Sequence, residues 1–298
     1  MSGAAAADRL ALAPGPAALR RHGGLMAGPG RLARYGRSLL RFWSTSLQAE
    51  LEYPANFWIE AIAVLGNLAG SVFVLGLLFG GADQDPAARL GGWSWHQALV
   101  VLGLYTLLDG LTSCVLQPNL SRIVGHVQNG TLDFVLLKPV DSQFWLSARM
   151  FSPWGVPGIA AGLGLSLWAA GRAGASWEAW AVGLAALMLV SSAVILYSLW
   201  FLLAALSIWF VKIWNATEVL RYTLVAGRYP VSAYPPALRL VFTFVLPVAF
   251  LTTVPAEAIL GRASVPWTLG AMAMALIAAL ASRWFWRHAL RYYTSASS

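Results

Sequence analysis

From Phe57 onward the chain alternates long apolar runs with short polar ones, and six of the apolar runs are long enough to cross a bilayer. They are Phe57 to Phe79, Ala98 to Leu120, Pro153 to Gly171, Ala179 to Val211, Leu240 to Ala256 and Val265 to Phe285. A helix rises about 1.5 Å per residue and a hydrocarbon core is about 30 Å thick, so each run predicts a transmembrane helix. The fourth, the longest, exceeds what the core requires and predicts a tilt or a projection beyond the membrane. The fifth is short, and its tail FLTTVPAEAILGR is interrupted by Pro255, which predicts a re-entrant segment. No stretch shows the period of two expected of a strand, and no internal repeat is visible. The fold class predicted is all-α integral membrane, with six transmembrane helices.

Ahead of the first span the pattern is different. Leu32, Tyr35, Leu39, Phe42, Trp43, Leu47 and Leu51 recur at helical spacing, with Arg31, Arg34, Arg37 and Arg41 on the flank. This predicts an amphipathic helix over 31–56 that lies in the membrane interface with its arginines at the headgroups. A packed surface helix is the plainer alternative. Residues 1–30 are rich in Ala, Gly and Pro and predict a disordered tail. Arg20 and Arg21 lack the apolar region and cleavage site of an export signal. The domain boundaries predicted are therefore a tail (1–30), the interfacial helix (31–56), a six-helix membrane domain (57–286) holding a loop at 121–152, and a second tail (287–298).

Composition supports the bilayer reading, with 58% hydrophobic and 11% charged residues and a mean hydropathy of +0.65. A net charge of +8 would suggest nucleic acid in a soluble protein. In a chain of many spans its placement matters instead. Seventeen of the 20 Lys and Arg residues fall on one side of the predicted topology, against Arg89, Arg172 and Arg262 on the other. The positive-inside rule puts both termini, and the loop between the second and third spans, in the cytoplasm. Tryptophan agrees: Trp93, Trp95, Trp177, Trp180 and Trp267 mark the outer face, and Trp43, Trp58, Trp145, Trp154, Trp209, Trp214, Trp284 and Trp286 the inner.

Convergent chemistry is scarce. His22, His96, His126 and His288 are scattered over both sides, with no metal-ligand spacing, and Cys114 stands alone in an apolar run. There is no phosphate-cradling GxxxxGK[ST] loop and no GxSxG elbow. Within the spans, ionisable residues are functional candidates because they are costly there. Asp109 falls near the middle of the second span, where it serves either a substrate pathway or dimer interface, or a structural hydrogen bond to Thr106, Thr112 or Ser113. Glu60 is expected at the inner interface facing the basic helix, and Glu257 near the outer surface as a cap on a short helix.

The longest mixed stretch between spans is Pro118 to Trp145, PNLSRIVGHVQNGTLDFVLLKPVDSQFW. Asn119 predicts a cap on a helix through SRIVGHVQN, Asn129 and Gly130 a stop, Thr131 a cap on a second short helix with Asp133 in its first turn, and Pro139 an end. The second piece, TLDFVLLK, is apolar on most sides yet falls outside the membrane. It is expected to bury itself against a partner or against the ends of its own spans.

GTLDFVLLKP resembles the glycine, leucine, acidic, leucine, proline motif between the second and third spans of permeases of type-2 ABC exporters. FVLPVAFLTTVPAEAILG, Phe244 to Gly261, is similar to the fifth-span segment of one bacterial branch of that class. The resemblance covers about residues 31 to 292. It implies a permease subunit of the bacterial inner membrane, paired with an identical or sibling permease. It also implies two cytoplasmic ATPase subunits, with ATP and Mg bound by them and no cofactor, metal or catalytic residue on this chain. Carried over by position, Gly130, Leu132, Asp133, Leu136 and Pro139 form the coupling element, and Pro247, Pro255 and Glu257 an external re-entrant one. Many relatives have glutamates just before the GTL, where this chain has His126, Gln128 and Asn129. A membrane enzyme acting on lipid or glycan through Asp109 or Glu257, or a secondary transporter, are the alternatives; the second would show inverted repeats.

Overall fold

The computed structural model describes residues 30–50, 52, 54–80, 89–210, 220–222 and 224–293. The expected tail, apart from Gly30, lies outside them, as do Lys212 and Trp214. The chain divides into two compact units, Met1–Leu40 and Arg41–Ser298. The first is described only by the opening turns of α1, Gly30–Glu50; the rest of α1 and all later elements belong to the second.

Every described element is helical, apart from an isolated bridge between Leu90 and Trp93. After α1 come α2 (Pro54–Leu78), α3 (Trp95–Gln128), α4 (Leu132–Leu136) and α5 (Ser142–Ala148). They are followed by α6 (Val156–Arg172), α7 (Ala179–Ile208), the bent pair α8 (Pro236–Val245) and α9 (Ala249–Ile259), and α10 (Val265–Ala289). Four of these, α2, α3, α7 and α10, are long and apolar enough to cross a membrane, and the bent pair makes a fifth if it is one span. The third expected span is a 3₁₀ turn, Pro153–Gly155, leading into α6, whose 17 residues are fewer than those of the other candidates.

Two local expectations are corrected. Asn119 does not begin a helix: α3 runs through it for 34 residues, with one π turn at Thr112–Leu116. Its side chain instead donates to the carbonyls of Val115 (2.7 Å) and Met150 (2.8 Å) and accepts from the Met150 N–H (2.8 Å). A capping residue inside a helix has its own backbone satisfied, so its amide is free to hold another segment. Nor is Pro255 the break in the fifth run. The chain bends by 76° between α8 and α9, at residues 246–248. Leu246 is extended (φ −115, ψ 93) because the ring of Pro247 disfavours the helical region for the residue before it. Pro255 follows the π turn Ala249–Thr253, whose looser bonding accommodates a residue without an N–H.

The core is built on α3. Gly103 and Gly110, two turns apart on one face, meet Gly155, Gly158 and Gly162 backbone to backbone. A Cβ on Gly110 would lie 2.5 Å from the Ile159 nitrogen, and one on Gly162 would lie 2.6 Å from the Gly103 carbonyl oxygen and clash with the Leu107 nitrogen. Without a hydrophobic drive between helices in lipid, such close approach gives dispersion contacts their strength. Around this pair a second core forms from α3, α7, α9 and α10, centred on Trp200, Phe201 and Trp286. By contrast α2 leaves Trp58, Ile62, Leu65, Phe73 and Leu77 exposed, the expectation for a face toward lipid or another subunit.

Candidate functional site: an exposed apolar elbow and an interior polar recess

At the end of α3 the chain turns sharply. Gly130 takes a left-handed conformation (φ 66), which any residue with a Cβ adopts only at a cost, and one turn and a half later α4 has ended at Leu136. Thr131 precedes α4 but makes no capping bond; its hydroxyl is 2.8 Å from His126 Nδ1.

The residues of α4 and Leu137 just after it divide by face. Leu132 (0% exposed) and Val135 are buried among Ile123, Trp145 and Leu146 as part of the main core. Phe134 (69%), Leu137 (81%) and, less fully, Leu136 (39%) stand exposed. Three adjacent large apolar side chains on one small protrusion form the patch expected of an interaction surface. Of the residues carried over as coupling element, Gly130 makes the bend, Leu136 and Pro139 are exposed, and Leu132 is wholly covered by its own chain, so it can only brace the others. Asp133 lies against Tyr293, whose phenol is pushed up by burial and by that carboxylate. Neighbouring Phe134 and Leu137, which carry most of the exposed area, were not singled out by the motif; their exposure depends on which face of α4 the core takes.

The elbow is tied to the long helices by polar contacts. Asp141 caps α5 by accepting from the Phe144 N–H (3.0 Å) and receives both terminal nitrogens of Arg283 on α10, at 2.9 and 2.5 Å. Gln143 accepts from Arg283 (3.1 Å) and donates to the Tyr197 hydroxyl of α7 (3.1 Å), which is also 2.9 Å from Ser147 Oγ. Trp286 donates to Ser142 Oγ (3.0 Å). Burial raises the Asp141 pKa, but the Arg283 hydrogen bonds and charge and the backbone donors outweigh it and hold the carboxyl below its ordinary value. Lys138 and Arg149 lie over the Trp145 ring, at 5.1 and 4.6 Å. On the other side α1 grips the exit of α5: Trp43 donates to the Ala148 carbonyl (2.9 Å) and stacks on Phe151, and Trp154 donates to Glu50 (2.6 Å).

Asp109 lies elsewhere, half-buried along α3. It lines a recess of about 170 Å³ together with Glu60 and Asn67 of α2, Ser113 of α3 and Arg221. A second, smaller cavity of about 30 Å³ shares Tyr105, Asp109 and Arg221 and extends to Trp200 and Thr252. The structural hydrogen bonds expected for Asp109 are not made by Thr106 or Thr112, whose hydroxyls turn back to the Leu102 (2.9 Å) and Leu108 (2.8 Å) carbonyls. Glu60, expected to face the basic helix, faces this recess. Arg228 stacks over Tyr105 (5.1 Å) and donates to Ser71 (3.2 Å). Sequence reasoning found Asp109 and missed its arginines, because they come from a segment more than a hundred residues away.

Pro247 and Pro255 are buried at the bend and in α9, and Glu257 occupies the first α-helical turn of α9. They share a segment. No group of three or more metal-ligating side chains occurs among the described residues.

A comparison with curated proteins returned no match. The family model for ABC-2 family transporter protein matches residues 65–297, from the second turn of helix after Glu60 to beyond α10. Because that match takes in most of the chain, including every long apolar helix in whole or large part, the elbow and most of the recess, this multi-pass membrane protein belongs to the ABC-2 transporter family and is a membrane component of transport.

Proposed function

We propose that the chain is the permease subunit of an ATP-driven exporter, which forms the substrate pathway with a second permease and is driven by ATPase subunits docked on the α4 elbow. The observation that carries this reading is the division of α4: Leu132 and Val135 anchor it in the core while Phe134, Leu136 and Leu137 are presented outward. A lever must be held by its own chain on one side and grasped on the other. The Asp141–Arg283 and Gln143–Tyr197 contacts supply the hold, linking the elbow to α10 and α7. ATP binding closes the ATPase pair, the elbow moves with it, and the ties pass that displacement to the long helices.

In this reading the elbow and both termini are cytoplasmic in a bacterial inner membrane, as the distribution of Lys and Arg supports. Six spans result if α6 crosses together with its 3₁₀ turn, a length of about 31 Å at ordinary helical rises, and if the α8–α9 pair counts as one. The α8–α9 bend, with Pro247, Pro255 and Glu257, is then the external re-entrant element.

The test is to coexpress the chain with a candidate nucleotide-binding ATPase, one encoded in a neighbouring reading frame being the first to try, and to purify through the permease. Leu136→Asp and Leu137→Asp are expected to lose the ATPase, or to retain it with transport uncoupled from hydrolysis, while the permease still elutes as a folded species. Full substrate-stimulated hydrolysis in both variants would sink the reading.

A further inference from the structure

The recess between α2 and α3 holds acid and base with no ion pair between them. Asp109 and Glu60 line it from α3 and α2, and Arg221 lines it from the segment before the Val225–Arg228 turn. No ion pair joins Asp109 or Glu60 to Arg221 among the described residues. Charges within a membrane domain are retained where a partner or a function keeps them.

Two further groups, Trp200 (0% exposed) and Thr252 (2% exposed), line the smaller cavity that shares Tyr105, Asp109 and Arg221 with the recess. Neither the Trp200 indole N–H nor the Thr252 hydroxyl finds a hydrogen-bond partner among the described residues, and the Arg228 Nε is likewise unmatched. A buried donor without a partner is unfavourable, and a native fold keeps one where something else supplies the acceptor. The unmet donors of Trp200 and Thr252 beside Asp109 and Arg221 ask for an acceptor-rich group, and the two carboxylates ask for a cation.

We propose that this recess binds a small zwitterionic head group, its cationic centre toward Asp109 and Glu60 and its anionic group toward Arg221, on the side where the smaller cavity with the Trp200 N–H adjoins it. A simple cation would leave the Arg221 charge uncompensated, since the hydrogen bond it makes goes to the neutral Gln117 amide (3.4 Å), and a simple anion would be repelled by two carboxylates. A neutral polyol would leave both signs of charge uncompensated. The volume of about 170 Å³ admits a head group and not a whole lipid, so acyl chains, if present, lie outside it. That the bound molecule is the transported substrate rests on the permease reading; that the recess binds it does not.

The test uses the purified full chain in nanodiscs of phosphatidylglycerol, titrated with phosphoethanolamine, ethanolamine or inorganic phosphate, with a short-chain phosphatidylethanolamine as a fourth probe. Binding is read by calorimetry and by the ligand-dependent rise in unfolding midpoint. At least one phosphoethanolamine form is expected to bind about tenfold or more tighter than either half alone, and Asp109→Asn or Arg221→Gln each to lose about tenfold, the scale of one charge-assisted contact. Binding of the soluble head group identifies it as sufficient; binding of the lipid form alone identifies a lipid source. If neither form binds, if ethanolamine or phosphate matches them, or if both variants bind as the parent does, the proposal is overturned.

Should the charge variants fail to fold, Trp200→Phe and Thr252→Val decide. They are expected to leave the ligand-free midpoint unchanged or higher while weakening binding; a lower midpoint with unchanged binding would show that these atoms hold structural water and overturn the proposal. Scoring ATPase co-purification in the same preparations separates the two ideas, since loss of the ATPase with retained binding counts only against the permease reading.

Discussion

Asp141 does two jobs that a substitution can separate. Its carboxylate caps α5 through the Phe144 N–H and pairs with Arg283. Asn caps a helix about as well as Asp, so Asp141→Asn removes the charge and spares the cap. Both partners are about one-third exposed, so the pair is solvent-screened and its loss is expected to cost about 1 kcal/mol at neutral pH. The Asp141 pKa is lower in the fold than in the unfolded chain, so its contribution is present above the ordinary carboxylate value of 3.8 and is lost as the pH falls through that value and below. Unfolding midpoints of the parent and Asp141→Asn, measured from pH 7 down to the acid limit, should therefore converge at low pH. A constant gap would show that the charge is not the source of the difference.

Helix pairs show how small residues set distances. Gly162 and Gly164 lie on the same helix, yet only the first approaches α3. A methyl group on Gly162 would meet the Gly103 carbonyl at 2.6 Å, whereas Gly164 has nothing within 4 Å. Gly162→Ala is expected to force α3 and α6 apart and cost about 1–3 kcal/mol, as overpacking does. Gly164→Ala should be neutral or stabilise by about 0.5–1 kcal/mol through helix propensity. Thermal unfolding of the two variants in the same detergent checks this; equal losses would refute the close contact. The glycines were plain in the sequence, but so were Gly66, Gly70, Gly164 and Gly171, which pack against nothing. Spacing alone does not say which glycines a neighbour approaches. The same holds for α4, where GTLDFVLLKP marked the elbow and the division of Leu132 from Leu137 depended on where the core lay.

Across the whole molecule the orientation assigned to the chain is open to a direct check. Cys114 is the only cysteine and it is buried, so an introduced thiol can be labelled with little background. Arg172→Cys, at the end of α6, is expected to react with a membrane-impermeant maleimide in intact cells, while Arg291→Cys, beyond α10, reacts only after permeabilisation. The reverse pattern would invert the topology and put the elbow on the opposite side from the proposed ATPase.

The sequence by itself determined that this chain is helical and lives in a membrane, because apolar runs of spanning length have few stable alternatives when every backbone group must be bonded within lipid. It also marked the turn at Gly130, since a glycine between a helix and a proline-terminated piece reflects local backbone energetics. The tertiary structure decided what local rules do not reach. Asn119 became a clamp on Met150 instead of a cap, and the break in the fifth run moved from Pro255 to Pro247. Asp109 acquired Glu60, Arg221 and Trp200 as neighbours from three distant segments. Each of those outcomes depends on which surfaces meet across the fold, and no residue's own preferences contain that information.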